Sequence, residues 1–147
     1  MKLAFLLIPA ILILVVVSCS KSNSGSKPTI SIQSLNNPVD SGQTLTVNLK
    51  FTNGSNLSGA NFLAIRIRKN VNPILGGNVA SGSDTILTPI PTFSSNDQGQ
   101  FVYTMPYGYL STNDGQNDTL VFKFAAITNS NVSSDTISTV PITIINP

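Results

Sequence analysis

The chain has no histidine, no glutamate and no tryptophan, and its 147 residues include a single cysteine. Each absence closes off a chemistry. Without histidine there is no Ser-His-Asp triad, no Cys-His pair and no histidine-bearing metal centre. Without a second cysteine there is no intrachain disulfide. The only acidic side chains are six aspartates, and two of them could in principle serve as acid and base in glycoside hydrolysis. Yet Asp40, Asp84, Asp97, Asp114, Asp118 and Asp135 all fall where the sequence predicts turns, and a turn carboxylate ordinarily bonds its own backbone. Gly76-Gly77 is not followed by Gly-Lys-Ser/Thr, so it does not make a phosphate loop. The expectation is a protein that is not an enzyme.

Charge is scarce as well. Eight basic residues and six aspartates give a formal charge of +2 and a pI near 8.9. Lys2, Lys21 and Lys27 precede Pro28, so five basic residues face six aspartates from there onward, a net charge of −1. Nucleic acid would require clustered Lys and Arg, and a near-neutral domain gives no case for it. What it has in quantity is polar and uncharged. Ser, Thr and Asn supply 48 of the last 129 residues, a mixture suited to strands, turns and loops rather than to helices.

Long apolar runs are missing with one exception. Leu3 to Val17 is 15 residues without a charge or a hydrogen-bonding side chain, preceded by Met1-Lys2. A spanning helix needs about 20 apolar residues, and Pro9 weakens this one further, so the stretch reads as the core of an export signal. Val16-Val17-Ser18-Cys19 resembles the lipobox of bacterial lipoproteins. That resemblance implies a thioether from the Cys19 sulfur to diacylglycerol and cleavage between Ser18 and Cys19. Residues 20–27, SKSNSGSK, have nothing apolar to bury and read as a flexible tether. The expected organisation is a lipoprotein signal peptide over 1–18, a lipidated cysteine and tether over 19–27, and one domain over 28–147. Ser20 is not the aspartate linked to inner-membrane retention in such lipoproteins, so the outer membrane is expected, on either face.

From Pro28 the pattern has period two. Leu45, Val47, Leu49 and Phe51 alternate with Thr44, Thr46, Asn48, Lys50 and Thr52, the mark of a strand with one buried and one wet face. Further strands are predicted over Thr29–Leu35, Phe62–Lys69, Thr85–Ile90, Gln100–Met105, Thr119–Thr128 and Thr136–Ile145. In the third strand Leu63, Ile65 and Ile67 are expected to face the core, opposite Arg66 and Arg68. Turn-forming clusters separate them: Asn36-Asn37-Pro38, Asn53-Gly54-Ser55, Asn113-Asp114-Gly115 and Asn129-Ser130-Asn131 among others. The predicted fold is all-β, an immunoglobulin-like antiparallel β-sandwich of about seven strands. Without the Cys and Trp hallmark of that fold, the core must rest on Phe51, Phe101, Phe122, Phe124 and the aliphatic faces.

The order KPTISIQSL, PVDSGQTLTVNLKFTN, GQFVYTMPYGY and NDTLVFKFAAITNSNVSSDTISTVPITI resembles small lipoproteins of the Bacteroidota with an immunoglobulin-like domain, over most of residues 27–145. The resemblance implies lipid anchoring and the sandwich fold, with no established activity. Related repeats often carry acidic residues after the second strand, where this chain has Asn53-Gly54-Ser55-Asn56. The loop from Asn113 to Asp118 fails as an EF-hand, because placing Gly115 sixth puts Leu110 first and Val121 twelfth, where oxygen ligands are required. No metal and no cofactor is expected.

Tyr103, Tyr107 and Tyr109 run off a strand into a loop. Loop aromatics present flat faces to sugars or peptides, so Tyr107 and Tyr109 are candidate ligand-binding residues, while Tyr103 shares its parity with Phe101 and Met105 and is expected in the core. Asp84-Thr85-Ile86, Asp118-Thr119-Leu120 and Asp135-Thr136-Ile137 each resemble the Asp-Ser/Thr-aliphatic acceptor of O-glycosylation in the Bacteroidota, which makes Thr85, Thr119 and Thr136 candidate modification sites. The same spelling arises wherever a turn ends and a strand begins. The leading expectation is a lipid-anchored, non-enzymatic binding or adhesion module for a glycan or an envelope protein, with the membrane as partner through Cys19. A structural accessory subunit that docks on another envelope protein is the alternative, and an aspartate-dependent hydrolase comes third.

Overall fold

A computed structural model of the chain describes residues 27–54, 56–69, 83–94, 98–112 and 114–147. The export segment, the Ser18–Cys19 junction, the tether up to residue 26, Gly76-Gly77 and Asp97 lie outside the described residues.

Among the described residues eight strands follow one another: β1 (Thr29–Leu35), β2 (Thr44–Thr52), β3 (Asn61–Arg68), β4 (Ser83–Pro89), β5 (Gln98–Pro106), β6 (Asp118–Ile127), β7 (Ile137–Ser138) and β8 (Ile142–Ile144). A 3-10 turn, Tyr107–Tyr109, follows β5. All strand pairings are antiparallel, in two sheets: β1-β2-β5, and β4-β3-β6-β7 with β8 also on β6. The sheets pack face to face as an immunoglobulin-like sandwich, the arrangement the strand pattern predicted.

The alternation in β2 builds one wall of the core: Leu45, Val47 and Leu49 have no exposed surface and Phe51 almost none. Phe62 and Ala64 of β3 and Leu120, Phe122, Phe124 and Ala126 of β6 form the other. Between them the rings interlock. Phe62 stacks on Phe124 with centroids 5.2 Å apart, and Tyr103 meets Phe124 edge-on at the same distance. Burying each such side chain contributes roughly 1.5–3 kcal/mol, and edge-to-face pairs add about 0.5–1.5 kcal/mol.

The strand prediction is corrected at two places. The single strand predicted over Thr136–Ile145 is broken into β7 and β8 by Thr139-Val140-Pro141. Pro141 has no amide hydrogen for a ladder, and the Thr139 hydroxyl accepts the Phe122 amide at 3.1 Å in place of a carbonyl. The Ser134 hydroxyl does the same for Ala126 at 2.9 Å. The second correction is the parity of β3. Phe62 and Ala64 face the core together with Arg66 and Arg68, while Leu63, Ile65 and Ile67 sit half-buried on the outer face. A phenylalanine ring gains more from the centre of the sandwich than the aliphatic residues do, and each inward arginine finds a carboxylate. Arg66 grips Asp84 of β4 through two bonds of 2.9 and 2.8 Å, and Arg68 is ion-paired with Asp118.

Asp84 and Asp118 therefore lie in strands rather than turns. Asp114 behaves as predicted, its carboxylate accepting the Gln116 amide two residues on at 3.0 Å. The turn at Asn36-Asn37 is held by side chains that act as short ladders. Asn36 accepts the Thr46 amide at 2.7 Å, and Asn37 accepts the Thr143 amide at 3.0 Å while donating to the Pro141 carbonyl at 3.0 Å.

Candidate binding site

The sequence-selected tyrosines stand at one end of the sandwich, over a buried polar network. Asp118 is fully buried at the start of β6. Its carboxylate accepts the Thr112 amide at 2.7 Å, the Thr112 hydroxyl at 3.1 Å and the Asn146 side-chain amide at 3.2 Å, besides pairing with Arg68. Arg68 also donates to the Leu110 carbonyl at 3.1 Å. Burial pushes the Asp118 carboxyl up, but the Thr112 amide, Arg68 and Asn146 outweigh it and hold it below the ordinary range. Tyr107 belongs to this network. Its ring packs on the core and its hydroxyl donates to the Ile145 carbonyl at 3.0 Å and to Asn146 at 2.5 Å. A recognition surface made of both rings needs Tyr107 exposed, and it is half-buried; Tyr109 is 69% exposed. Open space surrounds Gly108. Tyr103, as expected, is core.

The three Asp-Thr-aliphatic sequences are also separated. Thr85 and Thr136 are exposed, whereas Thr119 is half-buried beside the wholly buried Asp118. Among the described residues no group of three or more metal-ligating side chains stands together.

A different surface emerges where the two sheets end on the same side, in β4 and β5. Two adjoining hollows of about 330 and 210 Å³ open between these edges, with Ile90, Pro91, Gln100 and Phe101 common to both. The larger is floored by Phe62 and Tyr103, the smaller by Phe51 and Phe93. The rings form a chain, with centroids 4.8 Å apart from Phe62 to Phe101, 6.3 Å from Phe101 to Phe51 and 5.1 Å from Phe51 to Phe93. Phe93 is fixed through its backbone, whose amide donates to the Ser58 hydroxyl at 2.8 Å. The Phe51 ring lies against Gly54 and Gly99, and a side-chain carbon on Gly99 would come within 2.5 Å of it. Those two glycines leave room for the ring that floors the cleft.

Among the described residues no charged side chain lines either hollow. The Tyr103 hydroxyl is buried and has no hydrogen-bond partner among the described residues. Burial pushes this phenol up to about 12, opposed by Arg66 and reinforced by Asp84. The described lining is mainly apolar with a few amide and hydroxyl groups, the usual make-up of a ligand cleft. The sequence pattern puts Phe51 and Phe101 in the core and Pro89 and Ile90 at the end of a strand, and it gives no reading for Pro91-Thr92-Phe93. The signal available was the pair of prolines, which marks a strand end at a sheet edge.

No protein-family model and no curated protein matches the chain. Similar solved structures include Spo0M, a sporulation control protein from Bacillus subtilis, at 9% identity over 82% of this chain, with a TM-score of 0.46. A cohesin module from a Clostridium perfringens family 33 glycoside hydrolase aligns at 13% identity over 82% of this chain and 98% of its own, with a TM-score of 0.40. A beta-glucosidase from Listeria innocua aligns at 12% identity over 82% of this chain, with a TM-score of 0.41. The chain spans 50% of the Spo0M chain and 16% of the beta-glucosidase chain. These likenesses are remote and say nothing of ligand or activity.

Proposed function

We propose that the protein is a lipid-anchored component of the bacterial cell envelope, of the Bacteroidota lipoprotein type, whose immunoglobulin-like domain binds a ligand without catalysing a reaction. The lipobox at Val16–Cys19 supports the anchor, and Ser20 supports the outer membrane. The observation that carries the binding reading is the phenylalanine-lined cleft between β4 and β5, whose described lining carries no charge.

Strand register supports a link between anchor and cleft. Thr29 pairs with Thr52, which pairs with Gln98, so the tether enters within two strand spacings, about 10 Å, of the cleft end of β5. Tyr109, by contrast, follows the far end of β5. On this reading the cleft lies at the tethered end of the domain and Tyr109 is a second, separate contact at the opposite end. The accessory-subunit reading draws on the same side of the molecule, because open strand edges are docking elements.

Two experiments test this. Metabolic labelling with a fatty acid should mark the wild type and not Cys19→Ala, which should accumulate as uncleaved precursor; label retained in Cys19→Ala removes the anchor. The full lipoprotein, purified in detergent, should retain ligands from a glycan array or a random decapeptide library, and Phe101→Ala should weaken that retention at least tenfold. No retention from either source sinks the binding reading.

A further inference from the structure

Sheet edges are templates for pairing with another chain, and native proteins blunt them with bulges, charges, prolines or short strands. Among the described residues, three of the four edges are treated that way. β1 carries a register break between Ile32 and Ser34. β7 and β8 are two and three residues long, with Pro141 just before β8. β4 carries Asp84, locked to Arg66, and closes on Pro89 with Pro91 beyond it.

β5 has none of these devices. It runs nine residues, Gln98 to Pro106, in unbroken register with β2, without a charge and without proline before its last residue. Its other edge pairs with no strand among the described residues. Val102 stands 56% exposed on it, and the phenylalanine cleft opens alongside. An unprotected edge and an apolar hollow are the two parts of strand-addition recognition, in which backbone bonds hold the segment and a pocket selects a side chain.

We infer that β5 accepts an extended, uncharged segment of another polypeptide as an added strand, one of whose apolar side chains enters the cleft between β4 and β5. The proposal rests on the binding reading above and names its partner. Charge selects the segment: neither β5 nor the described lining of the cleft offers a counter-charge, and Arg66 on the adjoining sheet is already paired with Asp84. A charged side chain entering there would lose its hydration with nothing in return. Area selects a flexible segment over a second folded copy. Nine residues of edge are about 30 Å long and one sheet about 10 Å thick, so two copies meeting edge to edge would cover roughly 300 Å² each, well below the ~800 Å² per partner of a stable interface. An extended peptide buries its own backbone on β5 and a side chain in the hollow as well.

The test uses the full lipoprotein in detergent and decapeptides selected on it from a random library. The selected peptides should alternate apolar and uncharged polar residues. They should slow amide hydrogen exchange along Gln98–Pro106, and N-methylation of the peptide on its pairing edge should weaken binding at least tenfold. Equal binding of the N-methylated peptide overturns strand addition while leaving the cleft as a binding site, and retention of glycans alone does the same. Preference for charged peptides, slow exchange on the outer edge of β5 in the free protein, or a concentration-dependent dimer that protects β5 would each overturn it too.

Discussion

Removing the Asp118 carboxylate is the most informative single perturbation of this fold. Asp118 is fully buried, and the Arg68 side chain that it pairs with is only 14% exposed. Asp118→Ala strands that guanidinium and strips an acceptor from the Thr112 amide and the Asn146 side chain. Breaking one side of a buried pair costs about 3–5 kcal/mol, against roughly 6–18 kcal/mol of total stability for a domain of this size. At about 4 °C per kcal/mol, the melting temperature should fall by roughly 12–20 °C. The double variant Arg68→Met/Asp118→Leu removes both charges and should recover most of that loss, because the pair's attraction barely exceeds its desolvation cost. Urea unfolding measures both. A loss below about 1 kcal/mol for Asp118→Ala, the scale of an exposed pair, would refute the argument, as would a double variant no better than the single one. The pH dependence carries the same logic. The folded carboxyl titrates below its ordinary 3.8 because the Thr112 amide, Arg68 and Asn146 outweigh burial. A depressed folded value stabilises the protein above the unfolded value, and that contribution drains away as pH falls through the folded one. The wild type should therefore lose stability below about pH 4 more steeply than the double variant.

Other consequences are simpler to state. Tyr107→Phe should cost about 1–2 kcal/mol by deleting the bonds to Ile145 and Asn146, whereas Tyr109→Ala should stay within about 0.5 kcal/mol; thermal melts distinguish the two. In spectrophotometric titration Tyr103 should ionise late, near pH 12. Its raised value means that the folded state holds this proton longer, so stability should drop as pH climbs from the ordinary 10 towards 12, and Tyr103→Phe should lessen that drop. If the host glycosylates Asp-Thr-aliphatic sequences, peptide mass mapping of native protein should find sugar on the exposed Thr85 and Thr136 and none on Thr119; sugar on Thr119 would contradict the buried setting of Asp118.

The sequence by itself determined the elements with the strongest local pattern. β2 is legible because its alternation is complete, every second residue large and apolar and the rest Thr, Asn or Lys. β1 shows part of the same alternation, β6 is apolar on both faces, with Val121, Ala125 and Ile127 opposite Leu120, Phe122 and Phe124, and turn residues mark most of the gaps. A period of two states that a strand has two faces. It does not state which face is inward when both hold something worth burying. In β3 the choice between Leu63, Ile65 and Ile67 and the set Phe62, Ala64, Arg66 and Arg68 was decided by partners far away in the chain, Asp84 and Asp118, whose carboxylates make inward arginines tolerable. The break at Thr139–Pro141 was equally out of reach, since the Thr139 hydroxyl matters only where it meets the Phe122 amide. The cleft needed the whole fold: Phe51, Phe62, Phe93 and Phe101 come from four separate segments, and they meet because both sheets end on one side there, in β4 and β5. Local periodicity decides which backbone forms a strand. Burial of charge and the position of an edge depend on which strands become neighbours, and only the tertiary structure settles that.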